Sequence, residues 1–346
     1  MATEMDNNKG VKQRACVVKA GDDLADSLAK GLDFIGWERH VNKNSTVFIK
    51  PNLTFPRYKE GITTTPGLLQ ALLGILKGKA ARVIVGESDG GNHSFSAEDS
   101  FRGHGLYRIC EDNSAELVNL SSLPSTIISE KVCGKTVEVE LPRLLLEEVD
   151  CFISLPVLKV HVMTTVTLSL KNSWGCVPDT MRCLRHQDLD YKLALIARRL
   201  KPKLIIVDGI HALDNHGPMY GTAVKTGLLL FADNTVAADA LGARLMGFDP
   251  QRIKHISIAA RTGLGSPGLN DTQINADWQQ HTRKFTVKKT FIDTASRLLF
   301  SSDALARLVM KSPLTPLAYG VAGLLRSRQE REVAGQLGKK DNLGIY

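Results

Sequence analysis

The chain has 346 residues, enough for one large or two ordinary domains. Apolar residues make up 43% and charged residues 23%, which supplies a sizeable core and excludes wholesale disorder. The net charge of +8 suggests nucleic acid until it is located. Residues 279–346 carry 12 Lys/Arg against 5 Asp/Glu, while the preceding 278 carry 32 against 31. The body is nearly neutral and has no basic stripe with interleaved aromatics, so nucleic acid is not an expected partner.

The first ten residues, MATEMDNNKG, are polar and carry no secretory core. Six cysteines, at 16, 110, 133, 151, 176 and 183, are too few for a disulfide scaffold and lie mostly in apolar runs. No run approaches eighteen uninterrupted apolar residues. The expected location is cytoplasmic, with the basic tail available to the cytoplasmic face of a membrane.

In chain order, the first strand pattern is Thr46–Ile49, which runs into Lys50-Pro51-Asn52. A helix follows over Pro66–Leu76, with Thr65 as its cap and proline at its first position. Arg82–Val85 is the next strand, ending in Gly86-Glu87-Ser88-Asp89-Gly90, and a helical pattern begins near Ser96. Cys151–Leu155 runs into Pro156, Lys159 and His161; Asp188–Leu200 is an amphipathic helix. Leu204–Val207 runs into Asp208-Gly209 and His211, Leu228–Phe231 is a further strand, and Thr235–Met246 and Arg252–Arg261 are helical. Continuous apolar strands separated by helices predict an α/β fold whose sheet is mostly parallel and flanked by helices. The chain divides into an α/β domain over 1–278 and a basic, amphipathic helical tail over 279–346.

Four strands thus end in ionisable or turn-forming clusters, and in open parallel sheets that carboxyl edge is where ligands bind. The expected site is composite. Lys50, Asn52, Thr65, Ser88, Lys159, Asn172, Arg182 and His186 are the candidate substrate-binding residues, and Glu87, His161, Lys171 and Asp208 the candidate catalytic ones. Clustered cations favour an anionic ligand such as a carboxylate or phosphate. Lys171 follows the apolar Val166–Leu170, where burial would lower its pKa toward a base or amine-nucleophile role.

Competing motifs are weaker. Gly86–Gly90 fits G-x-S-x-G, but Gly91-Asn92-His93 continues the loop where a nucleophile elbow needs a helix. Gly263–Gly268 fits G-x-G-x-x-G but follows a helical pattern and contains Pro267, so no nucleotide-binding motif is counted. Cys176, Cys183 and His186 are weak metal candidates whose spacing matches no zinc motif. In the tail, Ile292, Ala295, Leu299, Leu305, Leu308 and Val309 recur among lysines and arginines, and Leu314–Leu325 is apolar. Residues 291–328 could therefore rest on an anionic membrane or pack on the domain.

A set of short words in these segments resembles domain-of-unknown-function family 362. They include Lys50-Pro51-Asn52-Leu53, Thr64-Thr65-Pro66, Gly86-Glu87-Ser88, Leu155-Pro156-Val157-Leu158-Lys159 with His161, and Thr167. The series continues with Leu170-Lys171-Asn172, Gly175-Cys176-Val177-Pro178, Arg182, His186, Val207-Asp208-Gly209, Gly217-Pro218 and Ala238-Asp239. The resemblance spans roughly 45–270. It implies an uncharacterised family, many of whose members carry a ferredoxin-like cluster domain, which points toward redox chemistry with a partner. This chain lacks the C-x₂-C-x₂-C run for such a cluster. The leading expectation is an enzyme performing acid–base chemistry on a small or lipid-linked anion. The alternatives are a redox protein served by a partner's cofactor and a non-catalytic anion-binding module at a membrane or complex.

Overall fold

The continuous apolar runs become neighbouring strands of one ten-stranded mixed sheet in the computed structural model, which describes residues 13–275, 277–310, 331–332 and 335–336. Chain order begins β1 (Gln13–Lys19), α1 (Leu24–Ile35), β2 (Thr46–Pro51), α2 (Pro66–Leu76), β3 (Arg82–Glu87), α3 (Ala97–Gly103), α4 (Leu106–Asp112) and β4 (Glu116–Asn119). A separate hairpin, β5 (Ser125–Val132) and β6 (Lys135–Pro142), precedes α5 (Arg143–Glu147). Then come β7 (Cys151–Leu155), β8 (Val157–His161), β9 (Thr165–Thr167), α6 (Ser169–Asn172) and α7 (Leu189–Leu200). The remainder is β10 (Leu204–Asp214), β11 (Thr222–Ala232), α8 (Thr235–Leu245), α9 (Lys254–Arg261), β12 (Thr272–Ile274), α10 (Phe291–Leu299) and α11 (Asp303–Met310).

The sheet order is β12-β1-β11-β10-β7-β2-β3-β4, and the run from β10 to β4 is parallel. The four strands with polar carboxyl ends are therefore adjacent and end on one edge. Leu228–Phe231 departs from the parallel expectation. It lies in β11, antiparallel to both β1 and β10, and reads as continuously apolar because both its faces are covered.

Alternate side chains feed two cores, as strand geometry requires. Val47 and Ile49 of β2, with Leu204 and Ile206 of β10, pack toward α1 and α2. Phe48, Ile205 and Val207 pack on the opposite face with α7, α8 and α9. Each fully buried leucine or isoleucine here contributes about 2 kcal/mol in transfer free energy. Local signals set the helix starts. Ser96 and Asp99 form a reciprocal capping box at α3, and Asn234 accepts from Val236 N and Ala237 N at α8. Thr65 occupies the cap position of α2 as expected, but makes no side-chain capping bond; Asp208 on β10 accepts from Thr65 N at 2.7 Å instead.

The start of the tail docks on the body. Phe285 is buried in the main core, and Phe300 and Ala306 pack against Cys183 and Leu184. His216 Nε2 meets Asp293 Oδ2 at 2.8 Å, and Gln187 and Asp303 exchange hydrogen bonds of 3.0 Å. The apolar stretch 314–325, and with it residues 311–328 of the expected membrane-facing segment, lies outside the described residues.

Candidate functional site

The carboxyl edge of β2, β3 and β8 encloses a cavity of about 130 Å³, closed on its other side by α6 and the segment 174–186. Lys50, Asn52, Glu87, Ser88, Lys159, His161, Lys171, Asn172, Arg182 and His186 all line it. Thr65 and Asp208 do not. Asp208 is buried and its oxygens accept from Thr65 N and Ile210 N (3.1 Å), so it joins β10 to the start of α2. Burial nonetheless pushes its pKa up.

One wall is internally satisfied. Lys50 Nζ lies 2.6 Å from Glu87 Oε2 and donates to Pro51 O at 2.8 Å, with both side chains buried. Glu87 also accepts from Leu53 N at 3.0 Å and Ser88 N at 3.1 Å, so its acceptor capacity is already engaged. Lys159 Nζ donates to Asn52 Oδ1 (3.0 Å), Ile62 O (2.7 Å) and Pro218 O (3.4 Å). Burial pulls its pKa well down, yet three accepting oxygens call for all three ammonium hydrogens, and we take the charged form. From Asn52 the network passes through Asn52 Nδ2 to Asn172 Oδ1 (3.1 Å) and Asn172 Nδ2 to Lys50 O (3.0 Å). Gly175 covers the ion pair. A Cβ there would stand 2.8 Å from Glu87 Oε1 and 2.9 Å from Lys50 Nζ, so only glycine allows this approach.

The other wall is not satisfied. Thr167 Oγ1, Trp174 Nε1 and His186 Nδ1, and across from them Ser88 Oγ at the end of β3, are buried with no hydrogen-bond partner among the described residues, and all four residues line the cavity. Lys171 Nζ has no hydrogen-bond or ion-pair partner among the described residues. Burial, and then the Arg182 charge, pull the Lys171 pKa down to about 7. Arg182 reaches Asp89 O at 2.7 Å and Asp179 O at 3.2 Å, tying the loop after β3 to the segment before α7.

The histidines are neutral. Burial and then the Lys171 charge hold His161 well below its ordinary value, and its Nδ1 accepts from Met163 N at 3.1 Å. The ring hydrogen therefore sits on Nε2, which makes His161 a donor at neutral pH. His186 is brought down to about 3 by burial and by Lys171. Its ring lies between Trp174 (5.6 Å) and the edge of Phe300 (5.7 Å), so the docked tail backs one side of the site.

The thiols are poorly suited to nucleophilic attack or to metal binding. Burial pushes Cys176 up to about 12 and Cys183 up to about 11, far from thiolate chemistry at neutral pH, and Cys176 does not line the cavity. Among the described residues no group of three His, Cys, Asp or Glu is placed to hold a metal ion. Ser88 lacks a base partner, and β3 runs into a loop rather than directly into a helix.

The sequence model described as domain of unknown function (DUF362) matches residues 47–244. The chain belongs to this family. The DUF362 range contains every residue that lines the cavity, from Lys50 to Met219, whereas α10 and α11 fall outside it. A thylakoid-associated protein of Synechocystis sp. is 28% identical over 242 residues, covering 66% of this chain and 71% of that protein. A structural-genomics protein from Thermotoga maritima aligns with a TM-score of 0.32 and 10% identity, over 58% of this chain and about half (52%) of its own. No helix among the described residues is long and apolar enough to cross a membrane.

Trp174, Gly175 and Thr167 were not among the candidate site residues. Thr167 and Gly175 stand in the family words, but a hydroxyl at a short strand end and a glycine before an apolar run look structural in isolation. Trp174 carried one available signal, an aromatic with a polar edge between Asn172 and Arg182.

Proposed function

We propose that the DUF362 cavity binds a small anionic ligand and moves a proton on it. The observation that carries this reading is the unpaired wall. Ser88, Thr167, Trp174 and His186, each with a buried polar atom that has no hydrogen-bond partner among the described residues, line one cavity together with the unpaired Lys171, and its buried carboxylate, Glu87, is already matched by Lys50. Leaving a buried donor unmade costs about 1–3 kcal/mol each, a cost that a ligand entering this cavity would relieve. A carboxylate or phosphate supplies several acceptors and the opposing charge. Lys171 is the group suited to exchange a proton near neutrality, because burial brings its pKa there and no described residue holds its nitrogen.

Isothermal titration with oxalate and with inorganic phosphate tests this. Binding that falls at least about tenfold in Lys171→Met supports it, since removing one partner of a charge-assisted bond costs at least about 1.4 kcal/mol. Equal heats of dilution for wild type and variant with both anions would sink it.

A second reading concerns the tail. Phe291, Leu298, Leu305 and Leu308 are exposed on α10 and α11, with Arg297 and Arg307 among them, and a relative is thylakoid-associated. These features support attachment to an anionic lipid surface. Sedimentation with phosphatidylglycerol vesicles but not with phosphatidylcholine vesicles is the expected result; no sedimentation with either removes the reading.

A further inference from the structure

The cavity holds three lysines in three different states. Lys50 is matched by Glu87, and Lys159 donates to three oxygens. Lys171 alone has a free nitrogen. Its backbone is clamped: the buried Asp239 carboxylate accepts from Ser169 N at 2.8 Å and Leu170 N at 3.1 Å, fixing the turn that carries Lys171 and Asn172. An ordinary surface lysine has no such fixed backbone.

The other nucleophile types in the cavity are set aside by their surroundings. Ser88 has no base, and the Cys183 thiol is driven up by burial. A lone amine in a partly closed cavity rimmed by unpaired donors suits a substrate with a carbonyl carbon to attack and an anionic group to anchor. From this geometry we infer that Lys171 is an amine nucleophile that forms an imine with a small anionic aldehyde or ketone, such as a 2-oxo acid. The inference rests on the anion-binding reading above and specifies its substrate class.

The chemistry balances without any oxidant or cofactor. The Lys171 nitrogen attacks the carbonyl carbon, its proton passes to the oxygen, and a carbinolamine forms. The carbon–oxygen bond then breaks, the hydroxyl takes a solvent proton and leaves as water, and the carbon–nitrogen double bond forms; water reverses the sequence. Trp174 Nε1, Thr167 Oγ1 and Ser88 Oγ are the unpaired donors that would hold the anionic group. A Lys171 pKa near 7 means that much of the amine is free at neutral pH, whereas ordinary lysines are almost wholly protonated there.

The test treats the full chain with glyoxylate and sodium cyanoborohydride near neutral pH, then maps the adducts by peptide mass spectrometry. Oxalate, an anion without a reactive carbonyl, is titrated in parallel. The expected result is a carboxymethyl adduct on Lys171 that forms at least about tenfold faster than on surface lysines and is slowed by oxalate. Lys171→Arg should lose that adduct while still binding oxalate, which separates lost chemistry from lost folding. If oxalate binds but glyoxylate labels only surface lysines, the imine is overturned and anion binding stands. If oxalate does not bind and Lys171 is not labelled, both fall together.

Discussion

At the strand ends, Lys50, Glu87, Asn52 and Lys159 satisfy one another, with Asn172 reaching across from α6 to join them. On the side formed by residues 167–186, Thr167, Lys171, Trp174 and His186 line the same space and carry polar atoms that have no partner among the described residues. The first wall behaves as a polar core. Its charges are deeply buried, and each is tied to a different chain segment, so it holds the ends of β2, β3 and β8 in register. The second wall accepts a standing cost that its own fold does not relieve. Residue type does not separate the two, since each contains lysine and amide or hydroxyl groups; what separates them is whether the acceptors come from the protein.

The comparison is broken most severely by cutting the satisfied wall. Glu87→Ala leaves the Lys50 ammonium buried and unpaired, and should lower the unfolding free energy by about 3–5 kcal/mol in urea titration. A loss below about 1 kcal/mol would show that the pair is not a scaffold element. Gly175→Ala pushes a methyl group onto the same ion pair and should cost about 1–3 kcal/mol, because a packed wall yields little. A melting temperature equal to wild type would mean that the 174–176 turn shifts freely.

Lys171→Met should stabilise the fold at and below about pH 7, where wild type carries the cost of the desolvated charge, and has the most informative pH dependence. The folded-state pKa is depressed, so between about 7 and the ordinary lysine value the unfolded chain binds the extra proton. Wild type should therefore gain stability over Lys171→Met as pH rises from about 7 toward 10, having carried the full cost of the buried charge below that window. Parallel urea midpoints for the two proteins across that range would remove the claim that Lys171 is unpaired in the fold.

Much of the site was legible because ligand residues cluster at strand ends and a sequence displays strand ends directly. Lys50, Glu87, Lys159 and His161 each follow an apolar run, and adjacency in the sheet then brings them together. Asp208 follows the same rule but faces away from the cavity. Its carboxylate turns back to Thr65 N, a direction that position along a strand does not specify. The role of His161 was equally hidden. That Met163 N occupies its Nδ1 depends on the turn after β8, not on residue identity.

The amino-acid sequence determined the α/β alternation, the edge of the sheet that carries the site, the concentration of positive charge in the tail and the cavity's charged and histidine residues. These follow from local periodicity and from charge, which are properties of neighbouring residues. Only the tertiary structure decided which lysine is free, that β11 runs antiparallel inside the sheet, and that the start of the tail packs behind His186. Such features depend on which distant group supplies an acceptor or a packing surface. That is set when Glu87 meets Lys50 and Asn52 meets Lys159, contacts between residues 37 and 107 positions apart.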